Sequence, residues 1–312
     1  MYSIGIDIGG MSIKVGLVND GAIIEQNRSK TAKTATECIE NMINQINTLL
    51  VNNNVSLSKL KGIGIGCPGA VSSETGVVEF LPNLGWENVA LAHELKKAFN
   101  VNIALSNDAN VAALAETIYG CAKDYKTSVM FTLGTGVGGG IVIDNKLFEG
   151  GWSRGAELGH ATLILGGEDC SCGRCGCIEC YTSATALIKQ TKRAMLGDKT
   201  SKMWQYVNGN IDAVDGRTAF ECEKLGDKTA KSVVDTYVMY LGESILNMLN
   251  IFRPEAFILG GGISAQGKNL TDRLEKYCEK YDYGYKDAPR TKILTATLGN
   301  DAGIIGAASL LD

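Results

Sequence analysis

The chain comprises 312 residues, 45% of them hydrophobic and 21% charged, and 30 basic against 34 acidic residues leave a net charge of −4. This composition suits a globular protein with a sizeable core, in one large domain or two ordinary ones, and excludes disorder, collagen and coiled coil. The charge has the wrong sign for a general nucleic-acid binder, no run approaches the ~18 apolar residues of a membrane span, and no signal-peptide pattern opens the chain, so a soluble cytoplasmic protein is expected.

In chain order, residues 2–18 read as two apolar strands around a glycine turn, with Asp7 just before Gly9-Gly10 and Ser12 and Lys14 just after. A helix follows over about 34–52, where Ile39, Met42, Ile43, Ile46, Leu49 and Leu50 share one face. Lys61–Cys67 is a short strand ended by Pro68-Gly69. Val101–Leu105 is another, closed by Ser106-Asn107-Asp108, which can cap a helix Ala109–Tyr119. Residues 128–143 repeat the opening design, so that Thr132 falls opposite Asp7, Gly134 opposite Gly9 and Thr135 opposite Gly10. The separation is far too long for a solenoid and indicates duplication of a whole α/β domain. A long helix, Ala230–Leu249, stops before Arg253-Pro254, and a buried strand, Ala256–Leu259, runs into Gly260-Gly261-Gly262. Asn300-Asp301 is expected to cap a last helix, Ala302–Leu311. The halves should join directly around a central cleft, with a smaller domain of 1–115 plus 300–312 and a larger one of 116–299.

Glycine makes up 38 of the 312 residues, well above the average of about 7%. A turn without Cβ atoms lets consecutive N–H groups approach an anion, so two matching turns and the run at 260–262 point to phosphate binding; tight hairpins in a twisted sheet are the alternative. Neither turn has the spacing of a P-loop. Asp7 could hold a magnesium–phosphate complex through water, or be a solvated strand-end residue. Asn107-Asp108 stands where open α/β sheets place ligands, so Asp108 is either a helix cap or a general base.

The ten cysteines are unevenly spread, five of them between Cys170 and Cys180. His160, Cys170, Cys172 and Cys177 supply one imidazole and three thiolates, the donor set of tetrahedral zinc, and Gly173 and Gly176 let the backbone wrap tightly. A closed set leaves no place for water, so the zinc should be structural. Cys175 and Cys180 are surplus to four ligands. Glu157 and Glu179 flank the loop, and fixed carboxylates suit polyol recognition, since each can accept hydroxyl hydrogen bonds.

Together, the stretches Asp7–Lys14, Gly66–Gly69, Asn107–Asn110, Leu133–Gly138, Glu157–His160, the Cys170–Glu179 loop and Gly260–Gly262 resemble the ROK family of sugar kinases and sugar-responsive repressors, over essentially the whole chain. The resemblance implies an actin/hexokinase-like (ribonuclease H-like) fold with ATP on the two hairpins and sugar near the zinc loop. It implies Asp108 as the base for the sugar's 6-hydroxyl, with Gly69, Asn107, Glu157, His160 and Glu179 as sugar contacts. It implies Gly9, Gly10, Ser12, Lys14, Gly134, Thr135, Gly136 and Gly261 as nucleotide contacts, Asp7 towards Mg2+, and a homodimer. Cys175 stands where the family's cysteine pattern is open. The expected activity is ATP-dependent phosphorylation of a hexose, glucose first, with N-acetylmannosamine, fructose, mannose or allose as alternatives. The family's repressors add an N-terminal DNA-binding domain, for which the early first hairpin leaves no room, and the zinc loop and carboxylates argue against an actin- or chaperone-like ATPase.

Overall fold

A computed structural model describes residues 1–283 and 289–312. The first half carries β1 (Tyr2–Ile8), β2 (Ser12–Asn19), β3 (Ala22–Lys30), α1 (Ala35–Asn52), β4 (Leu60–Cys67), three short strands β5 (Ala70–Ser72), β6 (Val77–Leu81) and β7 (Trp86–Val89), α2 (Leu91–Phe99), β8 (Asn102–Asn107) and α3 (Asp108–Ile118). Then come β9 (Ser128–Leu133), β10 (Val137–Ile143), β11 (Lys146–Leu147), α4 (Glu179–Thr182), α5 (Ala184–Gly197), α6 (Lys202–Tyr206), α7 (Thr218–Lys224), α8 (Lys228–Phe252), β12 (Ala256–Gly260), α9 (Lys268–Tyr281), β13 (Lys292–Thr295) and α10 (Ala302–Ser309).

The main sheets run β3-β2-β1-β4-β8 and β11-β10-β9-β12-β13. Both follow the order third, second, first, fourth, fifth, which is the duplication expected from the two hairpins. In the first sheet β1 pairs antiparallel with β2 and parallel with β4, and β4 is parallel to β8; in the second, β12 and β13 are parallel. Contacts divide the chain into one unit of Met1–Ser128, Gly140–Ala156 and Thr297–Asp312, and another of Val129–Gly139 and Glu157–Ala296.

In the first unit, alternation along β1, β2 and β4 buries Ile4, Ile6, Ile13, Val15, Ile63 and Ile65 in one core with Cys38, Met42, Ile46 and Leu49 of α1. Each such aliphatic side chain contributes about 1.5–3 kcal/mol on burial. Thr34 starts α1 by accepting from the Glu37 N–H at 3.2 Å. The position of α10 depends on glycine. A Cβ on Gly5 would stand 2.0 Å from the Ile304 carbonyl oxygen, one on Gly64 1.7 Å from that of Ala307, and one on Gly306 1.8 Å from that of Val111 in α3. Part of the glycine excess therefore serves the close seating of α10 on the sheet and on α3, and has no connection with phosphate.

The start of α10 differs from the sequence expectation. The Asp301 side chain makes no capping bond, a 3-10 turn over Gly299–Asp301 leads in, and the helix ends at Ser309. The fully buried Glu116 of α3 fixes this segment instead, accepting from the N–H groups of Thr297 at 2.8 Å and Leu298 at 2.7 Å.

In the second unit, α8 starts at Asp227, whose carboxylate accepts from the Ala230 N–H at 2.7 Å, and it ends at Arg253, left-handed at φ 43° before Pro254. Its buried Tyr237 donates to the Thr182 carbonyl at 2.7 Å, holding the end of α4. No helix among the described residues is long and apolar enough to cross a membrane.

Candidate active site

The two units each hold part of the predicted site. In the first, Gly9 follows β1 directly and its N–H donates to the Ser12 carbonyl at 2.9 Å, while Thr31 Oγ1 donates to the Gly9 carbonyl at 2.7 Å. The turn is thus closed from both sides, and Gly10 has open space around it. Asp7 and Lys14 face each other across the β1–β2 ladder. Lys14 Nζ donates to Asp7 Oδ2 at 2.9 Å and to the Asn300 carbonyl at 3.1 Å. Oδ1 of Asp7 lies outside that ion pair, so the carboxylate suits a magnesium ion bound through water. Gly303 of α10 abuts this carboxylate: a Cβ there would stand 2.6 Å from Asp7 Cγ.

At the end of β8 the structure joins two predicted residues. Asn107 Nδ2 donates to the Gly69 carbonyl at 3.2 Å, and Asn107 Oδ1 accepts from the Ala109 N–H at 2.9 Å. Gly69 is left-handed at φ 85°, with the Phe80 carbonyl 2.5 Å from where a Cβ would be. Asp108 is exposed in the first turn of α3, and its Oδ1 also accepts from the Ala109 N–H, at 2.9 Å. Asn107 is therefore the helix cap, and the Asp108 carboxylate is not required for that task.

In the second unit, the turn after β9 is closed by the Gly134 N–H donating to the Gly136 carbonyl at 3.0 Å. Its carbonyls are tied to the start of α5: the Ala184 N–H donates to Gly134 at 2.8 Å and Thr185 Oγ1 to Thr135 at 2.8 Å. The exposed Gly261, at φ 79°, lies so close to Leu133 that a Cβ would stand 2.5 Å from its carbonyl oxygen. Glu179, the first residue of α4, reaches the same turn, where its Oε2 accepts from the Val137 N–H at 2.9 Å. A Cβ on Gly136 would be 2.2 Å from that oxygen, so this glycine is required by the carboxylate. The other Glu179 oxygen faces Ser171 Oγ at 3.4 Å and Cys170 Sγ at 3.9 Å. One side chain thus touches both the glycine turn and the cysteine loop. A cavity of about 450 Å³ opens here, lined among others by Thr135, Gly136, Ser171, Glu179, Thr185 and Lys189.

The donor atoms of His160, Cys170, Cys172 and Cys177 lie within 4.8 Å of one another. Tetrahedral ligands at zinc distances stand roughly 3.5–3.8 Å apart. Cys170 Sγ is 3.6 Å from His160 Nδ1 and Cys172 Sγ is 3.7 Å from Cys177 Sγ, so the set fits the ion. Nδ1 faces the thiol, which leaves Nε2 of the same ring for a ligand. The loop wraps through Gly176, at φ 79°, whose Cβ would meet the Ile164 carbonyl at 1.7 Å. Burial opposes ionisation of Cys170, but the Cys172 N–H, the Cys172 and Cys177 thiols and His160 outweigh it and bring the group down to about 7. Cys177 is pushed up to about 12 by burial and by its neighbouring sulfurs. Of the two surplus cysteines, Cys175 Sγ donates to Asp169 Oδ1 at 3.3 Å, whereas Cys180 Sγ donates to the Asp169 carbonyl at 3.4 Å and also lies against the Cys170 thiol. Glu157 is exposed immediately before the turn Leu158–His160, and its carbonyl accepts from the His160 N–H at 3.1 Å.

Sequence reasoning missed Gly303 beside Asp7 and the residues tying the end of β8 to the segment around 149. Their signals were single polar or glycine residues with no spacing pattern.

Duplicated sheets of this order, each opening with a glycine-turned hairpin, define the actin-like fold of sugar kinases. The ROK family model matches residues 3–312, and the chain belongs to that family. It is similar to the glucokinase of Halalkalibacterium halodurans, 34% identical over 99% of this chain and 94% of that protein. The glucokinase of Thermotoga maritima is 34% identical over 99% of this chain and 96% of its own length. The crystal structure of a ROK family glucokinase from Streptomyces griseus, in complex with glucose and AMPPNP, superposes with a TM-score of 0.80 at 30% identity, covering 99% of both chains.

Proposed function

We propose that this chain is an ATP-dependent sugar kinase that transfers the γ-phosphate to the 6-hydroxyl of a hexose, with glucose the first substrate. The observation that carries the reading is Glu179, which joins the cysteine loop to the second glycine turn and so supports a site in which a carboxylate suited to a polyol stands beside a turn suited to phosphate. Full-length relatives that are glucokinases support the choice of sugar.

In this reading Asp108 accepts the proton of the attacking hydroxyl, and Asn107 holds Gly69 and the helix start so that the carboxylate stays at the strand end. Glu157, His160 through Nε2, and Glu179 bind sugar hydroxyls. The turns at Gly9-Gly10 with Ser12, and Gly134-Thr135-Gly136 with Gly261, bind the nucleotide's phosphates through N–H groups, and Lys14 adds positive charge. Mg2+ bound near Asp7 would shield phosphate charge. Zinc on His160, Cys170, Cys172 and Cys177 would hold the loop that orients Glu179, a structural task. Thiolate ligation needs reduced sulfur, which accords with a cytoplasmic location. A homodimer belongs to the same reading, and light scattering tests it.

The test is an ATP-coupled assay over a panel of hexoses and N-acetylhexosamines. Glucose should give the highest kcat/KM; a higher value for N-acetylmannosamine would move the assignment within the family. No turnover on any sugar would refute it.

A further inference from the structure

Glu149 lies between β11 and a tight turn at Gly151–Ser153, and each of its carboxylate oxygens takes a serine hydroxyl. Ser106 Oγ donates to Oε1 at 2.6 Å and Ser73 Oγ donates to Oε2 at 2.7 Å. Ser153 Oγ bonds to Ser73 Oγ and accepts from the Ser73 N–H at 3.3 Å. Ser106 is fully buried and directly precedes Asn107-Asp108. Ser73 lies on the segment that begins at Gly69, whose carbonyl Asn107 already holds. The end of β8 and the 69–73 segment are therefore tied together twice, by Asn107 and by Glu149. Hydroxyl–carboxylate bonds of this length are charge-assisted and roughly twice as strong as neutral ones.

The segment bearing Glu149 is itself held at a cost. Trp152, Ser153 and Ala156 are left-handed at φ 56°, 58° and 62°. Such non-glycine conformations are costly and persist where the surroundings over-determine them. Here the restraints are the Ser73–Ser153 pair, the Gly155 N–H donating to the Glu149 carbonyl at 2.7 Å, and Arg154 donating to both Glu79 oxygens at 2.9 and 2.8 Å.

We infer that Glu149 is a positioning residue for the phosphoryl-transfer step. Through Ser106 it fixes the end of β8, and hence the Asp108 carboxylate, against the 69–73 segment. The inference rests on the kinase reading above and adds to it a residue that never touches the reacting atoms.

The experiment compares Glu149→Ala, Glu149→Gln and Ser106→Ala with the wild type, by kcat, KM for glucose and for ATP, and thermal melting. A small misplacement of a reacting group can cost up to about 100-fold in rate. Glu149→Ala should therefore lower kcat by roughly 10- to 100-fold with KM for ATP unchanged. Glu149→Gln should recover most of the loss, because its carbonyl accepts one hydroxyl and its amide donates to the other oxygen. Ser106→Ala removes one hydroxyl only; it should fall between them, and it carries the test if Glu149→Ala fails to fold. A wild-type kcat in folded Glu149→Ala or Ser106→Ala, or equal damage by Gln and Ala, would overturn the positioning role while the kinase reading stands. A wild-type chain inert on every hexose would refute that reading and this inference with it.

Discussion

Replacing Asp108 with Asn separates a helix cap from a catalytic base, because the two roles predict effects of different size. The Ala109 N–H is accepted by Asn107 Oδ1 and by Asp108 Oδ1, both at 2.9 Å, so one acceptor remains whatever stands at 108. Asn keeps a carbonyl oxygen in the same place, and the charge it removes from the first turn of α3 is worth about 0.3–1 kcal/mol. That corresponds to a Tm shift of no more than about 4 °C in a chain of this size. Loss of a positioned base costs ~10²–10⁴ in rate, or about 3–5.5 kcal/mol of barrier. Steady-state kcat with glucose and ATP, a thermal melt and glucose titration by calorimetry should therefore show a folded protein that binds sugar and barely turns over. A normal kcat in folded Asp108→Asn would reduce the residue to an auxiliary cap and make Asp7 the next carboxylate to test.

Elemental analysis of protein purified without chelator should find about one zinc per chain, given the four clustered donors. Cys172→Ala should lose the metal, stability and sugar affinity together, whereas Cys175→Ala should retain all three; a metal-free, fully active wild type would refute the site. Gly64→Ala would place a methyl 1.7 Å from the Ala307 carbonyl oxygen, so denaturant melts should show a loss at or beyond the top of the ~1–3 kcal/mol range for overpacking. Glu168 is held down to about 2, against an ordinary 4.5, by bonds from Arg193 and then Lys189. Its contribution is present above the ordinary value and is lost as pH falls through about 2, so the melting difference between wild type and Glu168→Gln should be constant from neutral pH to about 5 and vanish near pH 2.

Local chemistry was legible in the sequence where residues close in the chain share one task. The clustering of His160, Cys170, Cys172 and Cys177 could be read because soft ligands at short spacing have few other uses, and the matched hairpins because their pattern occurs twice. The Glu149 cluster was not legible, since Ser73, Ser106 and Ser153 are ordinary residues that meet only after β5 and β8 are in place. The small sheet β5–β7 also escaped, its strands being short, with Pro82 and Gly85, the latter at φ 64°, in the turn that separates β6 from β7. The glycine excess was only partly legible: the turns stood out by their pattern, whereas Gly5, Gly64 and Gly306 are isolated glycines whose need for close backbone contact shows only once α10 is seated.

The seating of α10 on β1 and β4 has a consequence for biosynthesis. Residues 2–67 leave the ribosome early, but the helix that covers the back of their sheet is formed by residues 302–309. Until that stretch is synthesised, one face of the first sheet lacks its partner and glycine-lined backbone stays open to solvent, while the rest of the protein folds around an unfinished layer. Contacts so distant in sequence form slowly, and sheets left uncovered meanwhile tend to aggregate. Moving the α10 segment ahead of β1 by circular permutation would deliver the cover first, and the nascent chain should then depend less on chaperones.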